Sequence, residues 1–237
     1  MDLNGRRAIV LGGTSGIGLA AVRQLLAAGA KVTGGSRSPE HIAAAEQAAP
    51  GAQFVQIDTL DRGALESLFA AHHGFDVLVN AATPRDRAWG PFLDMDLDAF
   101  QNTFRKLWGY TNSVRLGVPH LAPDGAIVLV SGFPARKTTP GSSAIAAVGA
   151  AIETFARGVA TEIKPRRINV VSPGMIDTPM VGGDGEARVQ QMARMTANNL
   201  IPRIGTADEV ADAILFLIRN DFVTGTTVDV DGGALLP

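Results

Sequence analysis

Hydrophobic positions along this chain fall into two alternating rhythms. Short apolar, β-branched runs occur at Ala8–Leu11, Lys31–Thr33, Gln53–Ile57, Val77–Asn80, Ala126–Ser131, Ile168–Val171 and Thr227–Val230. Helically spaced stretches separate them at Gly18–Ala28, Arg62–His72, Leu97–His120, Ala144–Ile163 and Asp208–Arg219. The alternation predicts βαβ units and a parallel sheet. Asp61 and Thr206 stand where N-caps are needed for helices beginning at Arg62 and near Ala207,. The least regular stretch, Met180–Arg203 with its Gly182-Gly183-Asp184-Gly185 run, reads as a mobile substrate lid over 180–203. No linker, repeat or low-complexity tract interrupts the pattern, so residues 1–237 are expected to form one domain.

The first strand runs directly into Gly12-Gly13-Thr14-Ser15-Gly16-Ile17-Gly18 and then a helix. Glycines there permit a tight turn and close backbone approach, and the helix N-terminus offers unpaired N–H groups to a pyrophosphate. A strand–glycine-turn–helix in this position predicts dinucleotide binding by a doubly wound, three-layer α/β Rossmann fold with a seven-stranded, mainly parallel sheet. Ligands of such sheets sit beyond the carboxyl ends of the strands, so the residues just after each strand carry the functional information.

Composition narrows the picture mainly by exclusion. A formal net charge of −2 gives no electrostatic case for nucleic acid or an anionic membrane,. With no cysteine, disulfides and thiolate metal sites are ruled out, and no metal is expected,. Met1-Asp2-Leu3-Asn4-Gly5 is polar and leads straight into a strand, which is unlike a signal peptide,. No apolar run is expected to reach the ~20 residues that span a bilayer. A soluble, cytoplasmic protein with a small-molecule substrate is the plain expectation.

The spacing Gly12-x-x-x-Gly16-x-Gly18, with Thr14 and Ser15 inside it, resembles that of the short-chain dehydrogenase/reductase family. Asn80-Ala81-Ala82-Thr83 is similar to the family's Asn-Asn-Ala-Gly turn with two departures, and Ser172-Pro173-Gly174-Met175-Ile176-Asp177-Thr178-Pro179 to its Pro-Gly…Thr segment. Arg203-Ile204-Gly205, Asp208-Glu209-Val210-Ala211, Gly225 and Val230-Asp231-Gly232-Gly233 resemble its closing third, so the likeness covers nearly the whole chain. The resemblance implies that Asp58, with Thr59 beside it, lies against an adenine. It also implies that Asn80, Ala81, Ala82, Pro173, Gly174, Ile176 and Thr178 line the nicotinamide half and the phosphates. Family members usually assemble as dimers or tetramers, so a homodimer or homotetramer is expected.

NAD users in the family carry an acid at the end of the second strand, which would repel a 2′-phosphate. Here Gly34-Gly35-Ser36-Arg37-Ser38 supplies Ser36 and Arg37 instead, a hydroxyl and a guanidinium suited to that phosphate,. NADP(H) is therefore expected over NAD(H), the alternative being that Arg37 is an ordinary solvated residue.

The family's usual chemistry uses a serine, a tyrosine, a lysine four residues later and an asparagine from an earlier helix. The flanking matches place Gly132 at the serine, Ile145 at the tyrosine, Gly149 at the lysine and Lys106 at the asparagine. A one-residue slip would restore Ser131, but Tyr110 is the only tyrosine and the lysines are Lys31, Lys106, Lys137 and Lys164. Lys106 and Tyr110 share one helical face at i,i+4 spacing. Desolvated together, the amine would lower the phenol pKa or itself release a proton. Lys106, Tyr110 and Ser131 thus form a candidate relocated proton-transfer site, set against a reading in which Lys106 fills space and Tyr110 packs. Arg136 and Lys137, with Arg85 and Arg87, overhang the same cleft and would meet an anionic substrate, or are simply solvated. His41, His72, His73 and His120 read as surface or structural.

Three functions remain open. The leading one is an NADP(H)-dependent oxidoreductase reducing a carbonyl or activated double bond with nonstandard proton delivery. The others are a catalytically inactive NADP(H)-binding sensor or interaction protein, and a cofactor-independent lyase or dehalogenase on the same fold.

Overall fold

The computed structural model describes residues 1–236. Seven strands build the main sheet: β1 (Arg7–Leu11), β2 (Lys31–Ser36), β3 (Gln53–Gln56), β4 (Phe75–Asn80), β5 (Leu121–Val130), β6 (Arg167–Pro173) and β9 (Thr227–Val230). Their order is β3-β2-β1-β4-β5-β6-β9 and every pairing is parallel. A short parallel pair, β7 (Ile176–Asp177) and β8 (Gly205–Thr206), stands beside the sheet. The order turns back at β1 and β4, where Leu11 is in register with Asn80 and Asn80 with Leu129. That reversal opens a crevice at the strands' carboxyl ends.

Buried apolar side chains split into two layers, one on each sheet face. On one, Val22 and Leu25 of α1 (Gly16–Ala27) and Ile214, Leu217 and Ile218 of α8 (Ala207–Arg219) meet Val10, Val79 and Val128. On the other, α3 (Arg62–Ala71), α5 (Arg105–Gly117) and α6 (Ser143–Glu162) deliver Phe69, Tyr110, Val114, Val148 and Ile152 onto Ile9, Leu11, Leu78 and Leu129. α2 (Pro39–Ala48) flanks β2 and β3. Asp61 caps α3 by accepting from the Ala64 N–H at 3.0 Å. Thr206 and Glu209 close a reciprocal capping box on α8,.

Three expectations change. The helix expected over Leu97–His120 breaks at Phe104 into α4 (Leu97–Thr103) and α5, and ends in a 3₁₀ turn at Val118–His120. The Thr103 hydroxyl donates to the Ala99 carbonyl at 2.9 Å while accepting from the Ala88 N–H at 2.9 Å, a back-bond that bends helices,. The stretch Met180–Arg203 is not irregular throughout, because it contains α7 (Gly185–Thr196). The Gly182-Gly183-Asp184-Gly185 run leading into it reads as loop and hides a helix whose side chains are mostly exposed. Finally, α6 is 20 residues long and apolar enough to span a membrane on length and composition alone. Here it is a core helix, with Val148, Ile152 and Ala156 packed on the sheet.

The C-terminus of α8 is held by Arg167, whose guanidinium donates to the carbonyls of Leu217 and Ile218, both at 2.7 Å, and of Val223 at 3.1 Å. Arg167→Met leaves these buried acceptors unpaired, a loss of about 3 kcal/mol. Thermal melting should show Tm lower by roughly 6–12 °C.

Candidate functional site

The turn after β1 is set by contacts that exclude side chains. Gly12 and Gly16 have φ of +76° and +49°, the left-handed region that glycine adopts freely,. A Cβ on Gly12 would sit 2.6 Å from the Ala82 nitrogen, and one on Gly18 would overlap the Gly12 carbonyl oxygen. Gly12 N–H donates to the Gly35 carbonyl at 2.8 Å and Ala81 N–H to that of Leu11 at 2.9 Å, stitching β1 to β2 and β4. Thr14 is buried within the turn, and Ile17, in the first turn of α1, packs onto the core. Ser15, the N-cap of α1, is extended and makes no side-chain cap bond among the described residues. The first N–H groups of α1 therefore face the crevice as an anion cradle.

The segment after β6 closes onto this turn. The Thr178 methyl lies 3.1 Å from where a Gly16 Cβ would be. Gly174 N–H donates to Val230 at 2.9 Å, and a Cβ on Gly174 would come within 2.7 Å of the Asp231 Cα. Ile176 is paired with Gly205 through β7 and β8. Pro173, Gly174, Ile176 and Thr178 thus form one wall. Opposite them, Asn80 donates to the Ser113 hydroxyl at 2.7 Å and accepts from Ala82 N–H at 3.1 Å, holding Ala81 and Ala82 against the glycine turn.

At the end of β2, the Ser36 hydroxyl accepts from Ser38 N–H at 3.3 Å. Among the described residues the half-exposed Arg37 guanidinium has only a long 3.9 Å contact with Asp58. So loose and solvated a pair contributes little and leaves Arg37 free to engage an anion. Asp58 accepts from Leu60 N–H at 2.9 Å, and the Thr59 carbonyl accepts from the Asn112 amide at 3.1 Å, fixing the floor on this side.

Lys106, Tyr110 and Ser131 do converge at the end of β5, in an arrangement that differs from the expected amine–phenol pair. Lys106 Nζ donates to the Ser131 carbonyl at 3.3 Å and lies 5.5 Å from the centroid of the Tyr110 ring, a cation–π contact,. Burial, and secondarily the charge of Arg87, lowers its pKa to about 7. Tyr110 is fully buried, with its hydroxyl donating to the Val130 carbonyl at 3.1 Å. Burial raises rather than lowers the phenol's pKa, because a phenolate would be stranded away from water,. The titratable member of the pair is the amine.

The Ser131 hydroxyl donates to Glu153 Oε1 at 3.0 Å, and Glu153 is only 4% exposed. Arg136 approaches the other Glu153 oxygen at 3.3 Å and donates to Asp229 at 2.9 Å. The sequence reading missed Glu153, although a lone acid in Ala150-Ala151-Ile152-Glu153 was the signal available. The cleft cations resolve individually. Arg136 is committed to this network, Lys137 donates to the carbonyls of Ala234 and Leu236 at 2.7 and 2.9 Å, and Arg85 donates to His41 at 2.9 Å. His72 lies 3.2 Å from Thr33, and His73 and His120 meet at 3.1 Å, all three near the ends of α3 and of the 3₁₀ turn that follows α5. A Cβ on Gly149 would lie 3.0 Å from that of Ala135, so the turn after β5 presses on α6 at that point.

A glycine turn at the reversal point of a seven-stranded parallel sheet, with an uncapped helix start beside it, defines a dinucleotide-binding α/β protein. The chain belongs to the short-chain dehydrogenase/reductase family. A family model described as enoyl-(acyl carrier protein) reductase matches residues 12–234. The chain is 32% identical to L-xylulose reductase of Bos taurus, covering 99% of each protein. It is also 32% identical to 3-oxoacyl-(acyl-carrier-protein) reductase of Thermotoga maritima, covering 100% of each. Among solved structures, a short chain dehydrogenase/reductase family protein superposes with TM-score 0.87 at 34% identity, covering 99% of each chain. A small-chain dehydrogenase in complex with NADPH superposes with TM-score 0.85 at 29% identity, covering 99% of this chain and 100% of that one.

Gly18→Ala tests the turn. The added methyl has no room against the Gly12 carbonyl, so Tm should fall by roughly 5–10 °C, and calorimetry should show dinucleotide binding abolished.

Proposed function

We propose that this protein is an NADP(H)-dependent oxidoreductase that reduces a carbonyl or activated double bond of a small molecule, with Lys106 as its proton donor. The observation that carries this reading is the Lys106 amine at the cleft end of β5, held on the Ser131 carbonyl with a pKa of about 7. An amine poised there is half protonated at neutral pH, which suits a general acid. Gly12, Thr14, Ser15, Gly16, Ile17 and Gly18 would hold the pyrophosphate, and Ser36 and Arg37 the 2′-phosphate. Asp58 and Thr59 would face the adenine, and Asn80, Ala81, Ala82, Pro173, Gly174, Ile176 and Thr178 the nicotinamide half. The bound nucleotide would supply hydride chemistry; the chain positions it and handles the proton. The NADPH complex of a structural relative supports the choice of cofactor.

Gly132, Ile145 and Gly149 stand where the family's serine, tyrosine and lysine are expected, so proton handling falls to other groups. Lys106 gives its proton to the substrate oxygen as negative charge develops there. Tyr110 positions it by placing the ring under the amine, and Glu153 fixes Ser131 through the hydroxyl. Residues 180–203 form the lid, hinged on Gly182, Gly183 and Gly185, and α5 and α6 present the surface for a homodimer or homotetramer. A second reading, an NADP(H)-binding protein without turnover, draws on the packing of Ala135 against Gly149.

Calorimetry on nucleotide-free protein should give micromolar NADPH binding and much weaker NADH binding. Arg37→Asp should erase that preference; failure of the wild type to bind either nucleotide overturns the proposal. Once a reducible ketone or enone is found, Lys106→Met should lower kcat by about 10²–10⁴-fold. In the wild type the acid is lost as pH rises through the amine's pKa, so the reduction rate should decline above about pH 7. A flat profile, or an active methionine variant, excludes Lys106 as donor.

A further inference from the structure

Four cations overhang the cleft, and three of them are occupied: Arg85 by His41, Arg136 by Glu153 and Asp229, and Lys137 by backbone carbonyls of the C-terminal turn. Arg87 is not. Its Nη2 donates to the Met180 sulfur at 2.8 Å, and its Nε is buried with no hydrogen-bond partner among the described residues. Thioether sulfur is a weak acceptor, so this contact does not satisfy a guanidinium. Leaving a buried donor of a charged group unpaired is costly, and an incoming anion is one way to complete it.

Arg87 does not stand alone. Lys106 lies near enough that the Arg87 charge disfavours its protonated form, and its sole hydrogen-bond acceptor among the described residues is the Ser131 carbonyl at 3.3 Å. Neither cation forms an ion pair among the described residues. The two are braced through one side chain. The Thr103 hydroxyl, three residues before Lys106, accepts from the N–H of Ala88, next to Arg87. Thr103 thus ties the segment carrying Arg87 to the helix leading to Lys106, and two like charges on joined segments repel unless an anion offsets them,. The guanidinium fork fits a carboxylate or phosphate in two-point contact. Met180 belongs to the 3₁₀ turn Pro179–Val181 that follows Thr178 on the cleft wall. A substrate anion replacing the sulfur would therefore sit beneath that turn.

We propose that Arg87 and Lys106 form an anion-recognition site, so that the substrate is a small carbonyl or enone compound bearing a carboxylate or phosphate group. Calling the ligand a substrate rests on the oxidoreductase reading; the anion site itself stands on the unpaired Arg87 Nε, its sulfur contact and the Thr103–Ala88 bond that ties the Arg87 segment to the helix before Lys106.

The test uses full-length protein saturated with NADP+, in which no reduction occurs, and the same protein free of nucleotide. Two matched probe pairs are titrated by calorimetry: acetoacetate against methyl acetoacetate, and dihydroxyacetone phosphate against dihydroxyacetone. The charged member of at least one pair should bind ten-fold or more tightly than its neutral partner, and the pair that discriminates identifies the anion. Arg87→Met should reduce that ratio to near one. Arg85→Met, which removes the neighbouring cation bound to His41, should leave it unchanged. Equal binding of charged and neutral members in both pairs overturns the site, as does a preference that survives in Arg87→Met or disappears equally in Arg85→Met. If NADP+ fails to bind but the nucleotide-free protein still prefers the anion through Arg87, the anion site stands and the oxidoreductase reading falls. If NADP+ binds and the preference is absent, the reverse holds.

Discussion

Between β1 and α1 the backbone doubles back until the Gly12 carbonyl rests where a side chain on Gly18 would have to go, while the backbone of Ala82 covers Gly12 from β4. Much else follows from that clearance. Helix α1 begins close enough to the sheet for its free N–H groups to look into the crevice. The backbone after β4 can lie directly on Gly12, and Thr178 can settle on Gly16 from the far side. A side chain at Gly12 or Gly18 would push the turn, the start of α1 and the segment after β4 apart, which is why a local steric limit governs the geometry of this part of the nucleotide edge,.

Much of this architecture was legible in the residues because local and global signals agree. The seven apolar runs became the seven strands of the sheet, and Asp61 and Thr206 cap the helices they were expected to cap. The glycine turn announced itself by position between a strand and a helix. What stayed hidden depends on partners distant in sequence. The break at Phe104 comes from Thr103 bonding to Ala88, which no helical periodicity records. Helix α7 follows a glycine run that reads as loop. The orientation of Tyr110 was fixed by the Val130 carbonyl, so its spacing from Lys106 was read correctly while its hydroxyl pointed elsewhere. Glu153 was hidden because its meaning lies in Ser131 and Arg136, which reach it only in three dimensions.

The cleft divides its charges unevenly. On the β5–α6–β9 side, Ser131, Glu153, Arg136 and Asp229 are linked in a continuous row of hydrogen bonds and ion pairs, so each group there has a partner. Across from it, Lys106 and Arg87 lean on a carbonyl and a sulfur, acceptors that do not neutralise them. The satisfied side holds the end of β5 in place, and the unsatisfied side keeps donors available for something that is not part of the protein. Residue type alone could not separate Arg136 from Arg87, since the two arginines look alike in the sequence.

Helix α1, near one end of the chain, buries Val22 and Leu25 against Ile214, Leu217 and Ile218 of α8, near the other, and the Met1 ammonium donates to the Arg219 carbonyl at 2.5 Å. The N-terminal βα unit therefore cannot bury its apolar helix face until the last helix has been synthesised. During translation the nucleotide-binding turn emerges well before α8 and remains on an incomplete layer until that helix follows. A nascent chain of this topology carries exposed valine and leucine for most of its synthesis, the period in which holding chaperones and translation speed have most influence on yield.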